Sequence, residues 1–405
     1  MKMMTALALV LASAPAAYAA SLDNESFIEQ VGVHNTATIS QKSGNNAQGT
    51  FQAGKDNVVT TSQVSKLATG KNTSGNVQVG NGNTASLVQT NTAPNPQFTT
   101  STYTNNSFSA QYGVKNDSTV GQTGGQNTQG AIQTGKNNES IVSQSDQSVA
   151  AGAANTSFTG QFGFNNLSTT SQKSADRAPD AFEFQNGHSN ASSTLQFGNH
   201  NEASTQQQSV GGTGLGAYNA AATVQMGNGN IAVTKQGGSV GDDVASLTPQ
   251  TNTSFVGQFG TMNGAQITQT NGGNNQAAFQ TGYGNLATVN QKTQVFGTGS
   301  GTNNALTNQF GAGNQATISQ AMVAVPVGNA VGNNNSFTSQ IGGANVVNAA
   351  QTTGQQASAA NNTQVALQVG YGNSATVSQS TAASVTNTSF TAQYGAHNVA
   401  VVTQK

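Results

Sequence analysis

Cysteine and tryptophan are absent from the 405-residue chain, and charged residues make up only 6% of it. Without cysteine there is no disulfide staple and no thiolate metal site, which suits an exported protein held together by other means. A soluble globular domain carries roughly 25% charged residues, so the surface of this molecule cannot be of the ordinary kind. The formal net charge of −1 gives nucleic acid or an anionic membrane no electrostatic hold. Large aliphatic side chains are too few for one large apolar core. Solvated disorder is not indicated either, because it draws on high net charge. Proline is scarce, with six residues, and its placement proves informative.

What is present is Asn, Gln, Ser and Thr, with 48 Gly, and they are ordered. The first 19 residues read as a secretory signal: Lys2, the apolar run Met4 to Leu11, and Ala17-Tyr18-Ala19 at the cleavage positions. The apolar run is shorter than the roughly 20 residues that cross a bilayer. From residue 20 to 405 the chain reads as one domain built on a single repeat, Asn-x5-Gln-x-Gly-x2-Asn-x5-Gln, in fourteen copies with all five positions filled. The first copy is Asn24, Gln30, Gly32, Asn35, Gln41. The sixth is Asn155, Gln161, Gly163, Asn166, Gln172. The ninth and tenth are Asn252, Gln258, Gly260, Asn263, Gln269 and Asn274, Gln280, Gly282, Asn285, Gln291. The last is Asn387, Gln393, Gly395, Asn398, Gln404.

Asn and Gln six residues apart share one face of a strand, whose side-chain period is two. Each copy therefore reads as strand–turn–strand, with the glycine where the chain must reverse and a positive φ is tolerated. Pro94, Pro96, Pro179, Pro249 and Pro326 all fall between copies, as a residue that breaks a strand ladder should. The spacers run from 4 to 17 residues, a range that changes loop-closure entropy by only about 1.3 kcal/mol. The expected fold class is all-β: a β-solenoid of about fourteen stacked strand–turn–strand rungs in two facing parallel sheets, with irregular loops on one edge. Gln258, Gln269, Gln280 and Gln291 are eleven apart, so the solenoid should run there without a break.

Rungs stack about 4.8 Å apart, like residue over like. Four amide ladders are then expected along the molecule, each amide donating to one neighbour and accepting from the other. A buried amide left out of such a ladder costs about 1–3 kcal/mol, which favours the amides inside. Small-then-branched pairs such as Ala287 and Val289 fill the second arm between them. The opposite face of the first arm pairs a large apolar residue with a small one, as in Phe158 with Gly160 and Phe255 with Gly257. That stripe is either exposed and suited to lateral packing, covered by loops, or itself the interior.

The motif resembles the curlin repeat of bacterial curli fibres, in which a polar residue, Gln, Asn and Gln recur at these spacings. Asn24 and its counterparts stand where that family often has Ser. The resemblance covers nearly all of residues 24–404. It implies a secreted functional amyloid exported through an outer-membrane channel, started by a curli-type nucleator, and assembled as a homopolymer into extracellular biofilm fibres that adhere and aggregate. A membrane is then met only during export. The first copy begins soon after the expected cleavage site and the last ends at Gln404, so both ends should expose unpaired strand edges, without the polar caps of a soluble repeat protein. The alternative is a monomeric β-solenoid adhesin or an ice- or carbohydrate-binding module.

No catalytic constellation stands out, so no enzyme, cofactor or metal is expected. Of the four His, His34, His200 and His397 precede the turn Asn of a copy, and His188 lies in a spacer. All read as tolerated turn or loop residues. Asp242-Asp243 and Asp176-Arg177 read as solvated spacer charges.

Overall fold

The computed structural model describes residues 24–66, 70–92, 103–147, 154–176, 189–211, 217–239, 250–295, 300–324, 331–354, 360–381 and 385–405. The expected signal segment, the five spacer prolines, His188 and Asp242-Asp243 lie outside these residues. Among the described residues there are 28 strands and no helix. They form two parallel sheets of 14 strands, so the all-β solenoid expected from the repeat is present.

Each motif copy forms one rung. Its first arm joins one sheet and its second arm the other, in unbroken chain order. Register follows the motif position by position: Asn252 pairs with Asn274 and Gln258 with Gln280 in the first sheet, and Gln269 with Gln291 in the second. The same holds across the 35-residue step from Gln161 to Gln196. Spacer length therefore leaves register untouched. The eleven-residue rhythm appears as four strands, Gln250–Thr261, Gly264–Thr270, Asn274–Tyr283 and Leu286–Val295.

The first arm is longer than the Asn-to-Gln segment. Its strands run to 10–13 residues, because they continue past the central Gln through the glycine. Gly260 has φ +117 and lies inside the strand, which it bends, while the reversal falls on Met262 (φ 57) and Asn263. A Cβ on Gly260 would run into the carbonyl of Gly282 on the next rung, and Gly163 bears the same relation to Gly198. Glycine is required here for a close approach between rungs as well as for its φ.

Burial decides which face is interior. Along Asn46–Gln52 the four even positions Asn46, Gln48, Thr50 and Gln52 are buried and the odd ones are not. The amides point inward. Between them the second arm contributes the apolar fill, as Ala265, Ile267, Val289 and Ile318 form one buried cluster with Val256 of the first arm. In rungs 6 to 8 that branched position is Thr170, Thr205 and Thr234 instead, all buried. The hydrocarbon core is therefore interrupted, and polar bonding has to carry the middle of the stack.

Candidate functional site

The repeat places its signature side chains in ladders along the interior, and the strands present two outer faces. The central Gln ladder is complete across all fourteen rungs, each Nε2 donating to the Oε1 of the next rung at 2.5–3.0 Å. The second Gln ladder, Gln41 to Gln404, runs in the same direction at 2.6–2.9 Å. Both Asn ladders run the opposite way. From Asn24 to Asn387, each Nδ2 donates to the Oδ1 of the preceding rung at 2.7–3.1 Å. From Asn35 to Asn398 the distances are 2.9–3.2 Å. Two rows of amide dipoles up and two down leave little net field along the axis, a benefit in a low-dielectric interior.

The remaining hydrogens staple the sheets together. Gln258 Nε2 also donates across to the Ile231 carbonyl at 3.0 Å, and Gln269 Nε2 to that of Thr253 at 2.9 Å. Asn263 holds the turn: its Nδ2 reaches the carbonyls of Phe259 and Gly282 at 3.3 and 3.2 Å. Its Oδ1 accepts from the Asn285 backbone N–H at 3.2 Å. Asn155 and Asn274 cap the opposite edge through the carbonyls of Ser145 and Thr270 at 3.1 and 3.0 Å. Every signature Asn and Gln, including Asn166, Gln172, Asn252, Gln280, Asn285, Gln291 and Gln393, thus sits in one of these columns.

An amide off the ladders fares differently. Gln129, Gln276 and Gln364 are buried in the first arm where neighbouring rungs have smaller residues. Each accepts one hydroxyl bond, as Gln276 does from Ser254 Oγ at 2.9 Å, but its Nε2 has no partner. Being an amide is not sufficient. For these three glutamines a neighbouring serine satisfies the carbonyl but leaves the Nε2 without a partner.

The outer faces are unlike one another. Between the first Asn and the glycine, the outward positions of the first sheet carry no charge except Glu25 and Glu29 in rung 1. Large apolar side chains there lie over the glycines of neighbouring rungs. Phe108 covers Gly75, Phe158 covers Gly130 and Phe279 covers Gly257. A further apolar column, at positions that the repeat alone places in the turn, follows the central Gln. It includes Phe162 stacked on Phe197 with centroids 4.9 Å apart, and Met226, Phe259 and Phe310. Phe197 and Phe259 remain 37% exposed, Met226 45% and Phe310 44%. Burial in this column pushes the Tyr112 phenol pKa up.

The second sheet turns outward hydroxyls, such as Thr38, Thr60, Ser86 and Thr119, together with the charges Asp117, Glu139, Glu202 and Lys235. Partial burial raises the Asp117 carboxyl above the ordinary range, with a Thr119 hydrogen bond acting against it.

The residue before the turn Asn has a positive φ of 51–66° in every rung, which accounts for the Gly, Asn, Asp and His found there. Among the described residues no three of His, Asp or Glu lie close enough to hold a metal ion. Fold and interior together define the class: a parallel β-solenoid cored by hydrogen-bonded amides. No family model and no curated protein matches the chain.

Proposed function

We propose that this chain is a secreted structural subunit, curlin-like, that polymerises end to end into extracellular surface fibres of the biofilm-matrix type. The observation that carries the reading is the complementarity of the two end rungs. Among the described residues nothing pairs with the outer edge of Asn24–Val33 or of Thr386–Ala396. Rung 14 leaves Gln393 and Gln404 as ladder donors and Asn387 and Asn398 as ladder acceptors. Rung 1 leaves Gln30 and Gln41 as acceptors and Asn24 and Asn35 as donors. Head-to-tail addition matches donor to acceptor in all four ladders at once. Such a heterologous contact does not close, so it produces an open filament, and each added copy repeats the bonding already present inside the subunit.

Filaments then associate through the uncharged outer face of the first sheet. It measures about 60 Å by about 20 Å, roughly 1,200 Å², more than the roughly 800 Å² of one side of a standard protein interface. Export through an outer-membrane channel and initiation by a nucleator belong to the same reading, by resemblance to curlin subunits.

The test is assembly of the mature chain, residues 20–405, at micromolar concentration. The expected result is dye-binding fibres with a cross-β reflection near 4.8 Å and a lag abolished by seeds. A monomer that persists for days would sink the proposal. It would promote the second reading, a monomeric adhesin or an ice- or carbohydrate-binding module. The hydroxyl column Thr38, Thr60, Ser86 and Thr119 supports that reading, although Ile141 and Val233 interrupt the column.

A further inference from the structure

We infer that the junction between two copies is a binding site for a borderline divalent cation such as Zn²⁺, formed by His397 of one copy with His34 and Asp56 of the next. This rests on the head-to-tail reading above. The three residues occupy the same rung position, the one before the turn Asn, with φ of 57, 56 and 56°. Head-to-tail addition places rung 14 directly before rung 1, so the column reads His397, His34, Asp56 across the junction. Two of the column's three histidines stand on the two end rungs.

Side chains in this column reach one another across a single rung step. His34 Nδ1 lies 3.4 Å from Asp56 Oδ1. Asn137 Nδ2 donates to Asn165 Oδ1 at 3.1 Å, and Asn165 meets His200 Nε2 at 3.2 Å. Two ligands on a tetrahedral zinc, each about 2.1 Å from the metal, sit about 3.4 Å apart. The column's own spacing therefore suits a shared cation without moving the backbone. Imidazole and carboxylate are the ligand chemistry that zinc and its transition-metal neighbours accept.

The surroundings permit the approach. His34 is open to solvent, its side chain 76% exposed. His397 rests edge-on against Tyr371, centroids 5.9 Å apart, and over Gly372, which offers no side chain to lock it. Lys55 Nζ lies 3.6 Å from Asp56 Oδ2, so it occupies the carboxylate oxygen that His34 does not face. Within one copy His34 and Asp56 are two ligands short of a closed site, and His397 is on the far end rung. The third protein ligand arrives only with the next subunit, so the cation favours polymer over free subunit. Ligand linkage then sets the effect: zinc at ten times its Kd lowers the critical concentration for growth about ten-fold.

The experiment uses fibres of the mature chain grown in chelator, washed, and equilibrated with Zn²⁺. Wild-type fibres are expected to bind one Zn²⁺ per subunit. His397→Asn and His34→Asn fibres are expected to bind it at least about ten-fold more weakly, while His200→Asn fibres match wild type. Asn is already the resident at positions 137 and 165 of this column, so both variants keep its backbone. If one of them fails to assemble, the other decides. Fibres that take up zinc equally with and without both histidines overturn the junction site and leave the polymer reading standing. Failure of the wild-type chain to form fibres at all overturns the polymer reading itself.

Discussion

A glutamine in this protein is stabilising or costly according to what lies above and below it. Gln280 has Gln258 on one side and Gln309 on the other, whereas Gln276, four residues earlier on the same face, has no amide partner for its Nε2. Methionine has a similar volume and no hydrogen-bonding demand. Gln280→Met is expected to lower the stability of the folded chain by about 2–4 kcal/mol, because it orphans a donor on one rung and an acceptor on another. Gln276→Met is expected to stay within about 1 kcal/mol of wild type. Guanidinium midpoints of the two variants check this, and equal losses would count against the ladder as the source of stability. Asp117 provides a second test. Its raised carboxyl pKa means that the ionised form is disfavoured in the fold. The cost is present above the folded pKa and disappears as pH falls below the ordinary aspartate value. Glu139 pairs with it directly on the next rung. Asp117→Asn should therefore raise the midpoint at neutral pH, and the gain should shrink as the pH is lowered through the acid range. At this scale the signature residues were fully legible, because five fixed positions recurring in every copy leave no other register. The positive-φ column was not, since Gly, Asn, Asp, Lys, Met, Ala and His all occupy it and only the backbone unites them.

The arms were legible as elements, while their ends were not. The amide spacing marks where side chains point inward, but strand pairing continues wherever the backbone stays extended. Each first arm therefore runs on to the glycine and beyond, and the true reversal is confined to two residues. That is also why the apolar column after the central Gln is not legible in the repeat. Residues assigned to a turn are in fact strand residues with an outward face. The element most exposed to loss is the run of rungs 6 to 8, where Thr170, Thr205 and Thr234 replace the branched apolar fill. The hydroxyls of Thr170 and Thr234 are buried without a partner. Thr234→Val keeps the shape and removes the orphan, so it is expected to stabilise the stack by about 1 kcal/mol. Slower hydrogen exchange in rungs 7 to 9 is the measurement. Unchanged exchange would mean that the hydroxyl is satisfied in solution.

For the whole molecule, the contrast between faces separates two kinds of growth. In the proposed polymer, axial growth would need only the end rungs, whereas bundling would need the outer face of the first sheet. Met226→Lys with Phe310→Lys sets two like charges on that face and touches no ladder. Seeded elongation is expected to proceed at the wild-type rate, and electron micrographs to show single filaments in place of bundles. Bundles that persist would move the lateral contact to the hydroxyl face. The two-sheet stack was legible from repeat and spacing alone, because parallel in-register stacking is the one arrangement that satisfies fourteen sets of amides together. The apolar stripe of the first arm was legible too, but its full width was not, since the column after the central Gln depends on how far the first arm stays extended.

The fourteen-rung count has a consequence for how an assembled filament would scatter X-rays. One rung sets a subcell near 4.8 Å, but rungs are alike only in their amides, so the true repeat is the subunit. Fourteen steps give an axial supercell of about 67 Å, and the familiar cross-β reflection is then its fourteenth order. The intervening orders report what breaks the translation: the uneven spacers, the scattered phenylalanines, and any heavy ion held once per junction. A chain of this design is a ruler whose length is written in its copy number, and the filament would carry that length as a visible period.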